Sequence, residues 1–248
     1  MAAILGFAVI SLFFLFSYLH SSSIISTIPA GTSGIVIVTV LDRAALSEKY
    51  IHRIKKNRED YAKQHGKLLT FKYCSTSINS QCASRIGYTN FFADVSDYES
   101  TLDNAPRSWA MVPALRHAMT LYPHSAYFYH LGPHALIMDQ SKSLESHLLG
   151  KNRLESLMLK NVPVVPPNSV VKTLPHLTSK DIELVFTVDD ADLSTGSFVI
   201  RQGEFADFFL DVWSDPLYRN YNFVKAETHA LVCATWTIFL DMLVCMHC

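Results

Sequence analysis

Residues 189–197 read DDADLSTGS, so Asp189, Asp190 and Asp192 precede a turn of small residues, Thr195, Gly196 and Ser197. Carboxylates accept hydrogen bonds from hydroxyl groups and favour hard divalent cations through oxygen. Glycine, lacking Cβ, lets backbone come close to a ligand. An apolar strand-like run follows, then a helix at 204–213 with an acidic, aromatic face. Carboxylates and small residues at a strand end, with aromatic surface nearby, suit an enzyme that handles a nucleotide sugar. The alternative at 189–197 is an ordinary polar turn between two strands.

The elements that would position these groups alternate between strand and helix. GIVIVTVLD at 34–42 is a continuous β-branched run, the pattern of a buried parallel strand. Ser47 caps a helix to about Gln64, with Ile51, Ile54, Arg58 and Tyr61 on one side and Gly66 after it. A second strand at 68–73 would complete a right-handed βαβ unit. Residues 75–105 read as loop with short helical pieces. A helix is expected at 108–121, with Pro113 in its first turns, and an aromatic strand at 126–131. Another helix is expected at 144–160, then a proline-marked loop at 163–175. Strands at 184–188 and 197–201 and a helix at 204–213, closed by Pro216, complete the pattern. This is an α/β sheet covered on both faces. Ligands of such sheets sit at the C-terminal strand ends, where Asp42, residues 132–134 and residues 189–192 could converge.

Composition sets the bounds. The chain has 248 residues, 49% hydrophobic and 17% charged, with net charge −1. One sizeable domain fits; nucleic-acid binding does not, because it needs a basic excess. Residues 2–19 are apolar and uncharged, long enough for a membrane-spanning helix; a cleaved signal peptide is the rival. Residues 21–33 read as a short polar stem. Cys74 and Cys82 could pair or stand as buried thiols. Cys245 and Cys248 lack the second pair that a zinc site needs.

The segments GSFVIRQGEFADFFLDVWSDPLYRNYNF, WAMVPALRHAMTLYP and HALIM, spread between Gly34 and Leu231, closely resemble the fungal Golgi mannosyltransferases of glycosyltransferase family 34. That family also holds α-galactosyltransferases and xyloglucan xylosyltransferases. The resemblance implies a GT-A, Rossmann-like nucleotide-diphosphosugar fold and a retaining hexosyltransferase. It also implies a type II single-pass Golgi membrane protein with a lumenal catalytic domain. The implied organisation is a transmembrane signal anchor at 1–20, a stem at 21–33, a partial GT-A domain at 34–231 and an aberrant apolar tail at 232–248.

Residue roles follow from the same resemblance. Val38, Thr39 and Asp42 would meet the nucleotide base, and Arg58 would approach the nucleotide or brace the strand ends. Asp190, Asp192, Gly196 and Ser197 would hold the sugar. Glu227 would face the reacting carbon, with Asp192 as its catalytic partner; a solvated helix acid is the plain reading of Glu227. The family's Asp-x-Asp, which holds a divalent metal (Mn²⁺), reads Gly132-Pro133-His134 here. His134 would be a weakened metal ligand, or a strand-end histidine in a degenerate donor site. The expected activity is α-1,6-mannosyl transfer from GDP-mannose to mannan chains of glycoproteins, within a hetero-oligomeric mannosyltransferase complex. A noncatalytic scaffold subunit of a mannan polymerase complex is the alternative, and a secreted sugar-binding protein a third. The resemblance stops at Leu231, which suggests a C-terminally truncated chain; the tail could also be a second membrane helix.

Overall fold

The run IVIVTVL forms β1 (Ile35–Leu41), buried at every position. Branching at Cβ favours extended backbone, and a strand covered on both faces needs no polar alternation. The computed structural model describes residues 34–65, 67–70, 83–86, 88–163, 172–188, 193–220, 225–237 and 243–247. Ser47 caps α1 (Glu48–Gln64) by accepting a hydrogen bond from the Tyr50 amide at 3.4 Å. Ile51, Ile54, Arg58 and Tyr61 are buried on its inner side.

The chain then departs from the expected βαβ unit. β2 (Lys67–Thr70) pairs antiparallel with β3 (Ala83–Ile86) in a separate two-stranded sheet. Residues 71–73 of the expected second strand lie outside the described residues, as do Cys74 and Cys82. The parallel neighbour of β1 is instead β4 (Thr89–Asp94), inside a region expected to be loop. β4 is an edge strand and mostly half-buried, so it needs no apolar run.

The main sheet adds β5 (Tyr127–Leu131), β6 (Leu184–Val188), β7 (Leu193–Arg201) and β8 (Leu243–His247), in the order β4-β1-β5-β7-β6-β8. β4, β1 and β5 are parallel; β7 runs antiparallel to β5 and β6; β8 is parallel to β6. The short α2 (Glu99–Leu102) leads through a 3₁₀ turn at Arg107–Ala110 into α3 (Met111–Leu121). The helix expected at 144–160 is a π-type turn, Glu145–Leu149, followed by α4 (Lys151–Leu157); extended backbone at Gly150 separates them. α5 (Glu204–Trp213) is followed by α6 (Pro216–Arg219), where Pro216 opens a helix rather than closing one, as its fixed φ allows. α7 (Ala226–Thr237) completes the set.

One sheet face packs Val38, Phe128 and Phe198 against Trp109, Leu115, Phe209 and Trp213. The other packs Ile35, Ile37 and Val199 against Tyr61, Leu148 and Leu154. The apolar tail supplies the end of α7 and β8, which extends the sheet beside β6.

The expectation of a transmembrane helix, and with it of a single-pass membrane protein, is corrected. Among the described residues no helix is long and apolar enough to cross a membrane. A span needs roughly 20 apolar residues; α1 has 17 and is polar, and α7 has 12. Residues 1–33 lie outside the described residues. The fold is mixed α/β built on a sheet.

Candidate active site

β1 and β5 are parallel and end on the same sheet edge, where antiparallel β7 begins. Leu131 therefore pairs with Ser197, and the Gly132 amide donates to the Gly196 carbonyl at 2.7 Å. A Cβ on Gly132 would stand 3.1 Å from that carbonyl oxygen. A side chain there would require the facing backbone to give by a few tenths of an ångström. Beyond the two glycines opens a cavity of about 510 Å³. Asp42 lines it from the end of β1, residues 132–135 from the loop after β5, and residues 194–197 from β7. Arg107, Ser108 and Met111 enter from the start of α3, His130 from β5, and Glu227 from the first turn of α7.

The charged groups at its rim are tied to one another. Arg107 donates from Nε to Asp42 Oδ2 at 2.9 Å and from Nη2 to Asp42 Oδ1 at 3.0 Å. It also reaches Glu99 at 2.8 Å. Arg107 holds the Asp42 carboxyl below the ordinary carboxylate range. The Ser108 hydroxyl donates to Glu227 Oε2 at 3.2 Å, and Trp213 Nε1 donates to the Glu227 carbonyl at 2.8 Å. The buried indole thereby fixes the turn that carries the carboxylate. His130 is buried, 4% exposed, and its ring lies 5.0 Å from that of Phe198. Burial pushes its pKa down to about 4, so the imidazole is neutral at physiological pH.

The loop after β5 hangs from α1. Arg58, fully buried, donates from Nη2 to the carbonyls of Gly132, at 3.1 Å, and Ala135, and from Nη1 to Asn57 Oδ1 at 2.7 Å. Asn57 closes a reciprocal pair with the backbone of Ile137, both bonds at 3.0 Å. The Tyr50 hydroxyl donates to the Pro133 carbonyl at 3.1 Å. Burial lowers the Arg58 pKa to about 10, which leaves it charged at neutral pH.

Of the residues singled out from sequence, Asp42, His134, Gly196, Ser197 and Glu227 line this one cavity. Arg58 does not; it braces the loop that forms the wall. Val38 and Thr39 are fully buried within β1 and do not line the cavity, whereas Val40 does. Asp189, Asp190 and Asp192 lie outside the described residues. Arg107, Ser108 and His130 were not anticipated as cavity residues. A lone arginine directly before a helix start was the only signal for the first.

The residues fit a metal poorly. Among the described residues no group of three or more His, Cys, Asp or Glu could hold a metal ion. His134 offers one imidazole, and both Asp42 oxygens are engaged by Arg107. The expected Mn²⁺ site finds no donor set among the described residues.

The model of the galactosyl transferase GMA12/MNN10 family, glycosyltransferase family 34, matches residues 31–235. The chain belongs to this family. It is 30% identical over 186 residues to an uncharacterized alpha-1,2-galactosyltransferase of Schizosaccharomyces pombe, covering 73% of this chain and 44% of the relative. It is 30% identical over 163 residues to the probable alpha-1,6-mannosyltransferase MNN10 of Saccharomyces cerevisiae, covering 65% and 36%. The chain thus spans less than half the length of these relatives. Galactosyl- and mannosyltransferases both stand among the relatives, so the specific likeness to mannosyltransferases broadens to the GMA12/MNN10 family as a whole. The crystal structure of a glycosyltransferase involved in glycosylation of the major capsid of PBCV-1 shares the fold. Its TM-score is 0.51 at 9% identity, over 86% of this chain and 81% of that one.

Proposed function

We propose that the cavity binds a nucleotide sugar and that the protein transfers its hexose to a glycan. The observation that carries this reading is the convergence of Asp42, His134, Gly196, Ser197 and Glu227 on one cavity at the strand ends, in a chain of this family. The close-packed glycines leave room for a sugar ring against backbone. Glu227, held by Ser108, is placed to face positive charge developing at the anomeric carbon or to accept a hydrogen bond from the incoming hydroxyl. In the transfer the bond from the anomeric carbon to the diphosphate oxygen breaks, a bond to the acceptor oxygen forms, and the proton of the acceptor hydroxyl passes to the departing diphosphate. Asp190 and Asp192 would hold sugar hydroxyls.

For the donor and acceptor we propose GDP-mannose and an α-mannoside chain. Likeness to MNN10 and to the probable alpha-1,6-mannosyltransferase MNN11 of the same yeast supports this; a galactose donor is the rival. Incubating the protein with labelled GDP-mannose and α-1,6-mannobiose tests the reading: a labelled trisaccharide is expected. Transfer from UDP-galactose alone would replace the donor; binding of neither nucleotide sugar would overturn the reading.

A second reading, a noncatalytic subunit that scaffolds an active relative, is favoured by Gly132 and His134 at the family's paired-acid position. Donor binding without turnover, together with stimulation of a coexpressed relative, would select it.

A further inference from the structure

His130 breaks a pattern. In the register of the sheet it lies between Val38 of β1 and Phe198 of β7, and Phe198 lies beside Phe186 of β6. Val38, Phe198 and Phe186 belong to one apolar core face. The imidazole is the polar member of this cross-strand row. It stands two residues before Gly132, on the same strand face, because side chains two apart share a face. Gly132 and its neighbour Gly196 have no side chains to cover it, and His130 lines the cavity that they leave open. Its Nδ1 is buried and has no hydrogen-bond partner. A buried polar atom without a partner is costly and rare in folded proteins, so a histidine in place of an aliphatic residue needs a compensating contact.

We infer that His130 forms the floor of the cavity and hydrogen-bonds a hydroxyl group of the bound nucleotide sugar through its imidazole. The inference rests on the nucleotide-sugar reading and adds to it a specificity residue. The chemistry of the group selects the ligand. A neutral imidazole has one donor and one acceptor nitrogen and no charge to offset a phosphate. Hydroxyls both donate and accept, so either tautomer serves. Two hydroxyl sources exist on the donor, the hexose and the ribose, and binding measurements separate them.

The test is calorimetric titration of the full chain and its His130→Leu and His130→Asn variants with GDP-mannose and with GDP. Leucine fills the space without a polar atom; the asparagine amide keeps a polar group there. His130→Leu is expected to weaken GDP-mannose binding about 10- to 100-fold, as for a lost hydrogen bond to a buried partner, and His130→Asn to restore most of it. Equal weakening of GDP would assign the ribose; unchanged GDP affinity would assign the hexose. Wild-type affinity of His130→Leu for both ligands overturns the inference and leaves the nucleotide-sugar reading standing. Wild-type protein that binds neither ligand overturns both. Should His130→Leu fail to fold, ¹⁵N spectra of the wild-type imidazole decide. A shift of the imidazole ¹⁵N resonances on adding GDP-mannose supports the contact, and unmoved resonances at saturation overturn it.

Discussion

Arg107 grips Asp42 through two hydrogen bonds, at 2.9 and 3.0 Å, across the mouth of the cavity. The pair is bidentate, the geometry in which a guanidinium binds a carboxylate most specifically, yet both side chains remain in reach of water. Exposed pairs contribute little to stability. In the proposed reading the pair acts through what it presents to a ligand. Arg107→Ala and Asp42→Asn are each expected to weaken GDP-mannose binding at least about tenfold with little change in melting temperature. A large fall in melting temperature with unchanged affinity would make the pair structural.

Arg58 is the opposite case. Its guanidinium is buried and carries two loop carbonyls. Arg58→Met leaves both acceptors without their donor, at about 1–3 kcal/mol each, and should destabilise the fold by about 2–5 kcal/mol. Arg58→Lys should rescue little, because an ammonium lacks the planar fork. Urea unfolding measures this. A change below about 0.5 kcal/mol, the ordinary surface range, would show that the loop does not hang from this side chain.

The sequence made the cavity wall legible where chemistry coincides with strand ends. Asp42 closes a β-branched run, and Gly196 and Ser197 open one, so topology alone carries them to one edge. Glu227 was reached through family likeness, since nothing local distinguishes it from a solvated helix acid. β4 went unread because an edge strand, half-buried along most of its length, carries no hydrophobic run. The partner of β1 was therefore sought in residues 68–73. Thr195, Gly196 and Ser197 read as a turn, yet they lie within β7, where the pairing with β6 shifts register between Phe186 and Thr187. His130 was hidden within an aromatic strand, where a histidine looks like one more packed ring. An aberrant tail is expected where the resemblance stops at Leu231; the pairing of β8 with β6 is a long-range contact that local pattern does not contain.

Gly132 tests the steric side of the account. Its missing Cβ keeps Gly196 close. Gly132→Ala should cost about 1–3 kcal/mol as overpacking and should weaken donor binding by moving β7. Gly132→Asp, which puts an acid where the resemblance places one, should suffer the same penalty. It should not restore a metal site unless β7 also moves. Thermal unfolding and Mn²⁺ titration of both variants check this. Wild-type stability in Gly132→Ala would mean that the strands accommodate a side chain freely.

His130 predicts a pH dependence of stability. Its pKa is about 4 in the folded protein against 6.5 as the ordinary value. Above pH 6.5 both states are neutral and the folded state keeps its full stability. Between 6.5 and 4 the unfolded chain takes up a proton that the folded site refuses, so stability falls as pH falls. Below 4 both states are protonated and this loss is complete, at roughly 3 kcal/mol. The stabilities of wild type and His130→Leu should diverge toward this amount as pH falls from 7 to 4. Parallel curves would mean that the imidazole protonates in place.

The most direct measurement is an experimental structure of the protein bound to GDP-mannose. The account predicts the sugar against Gly132, Gly196 and Ser197, within hydrogen-bond reach of Glu227, with the nucleotide toward Asp42 and Arg107. A donor bound elsewhere, for instance in the groove beside Arg43, Lys55 and Asp94, with this cavity left empty at saturating concentration, would contradict it.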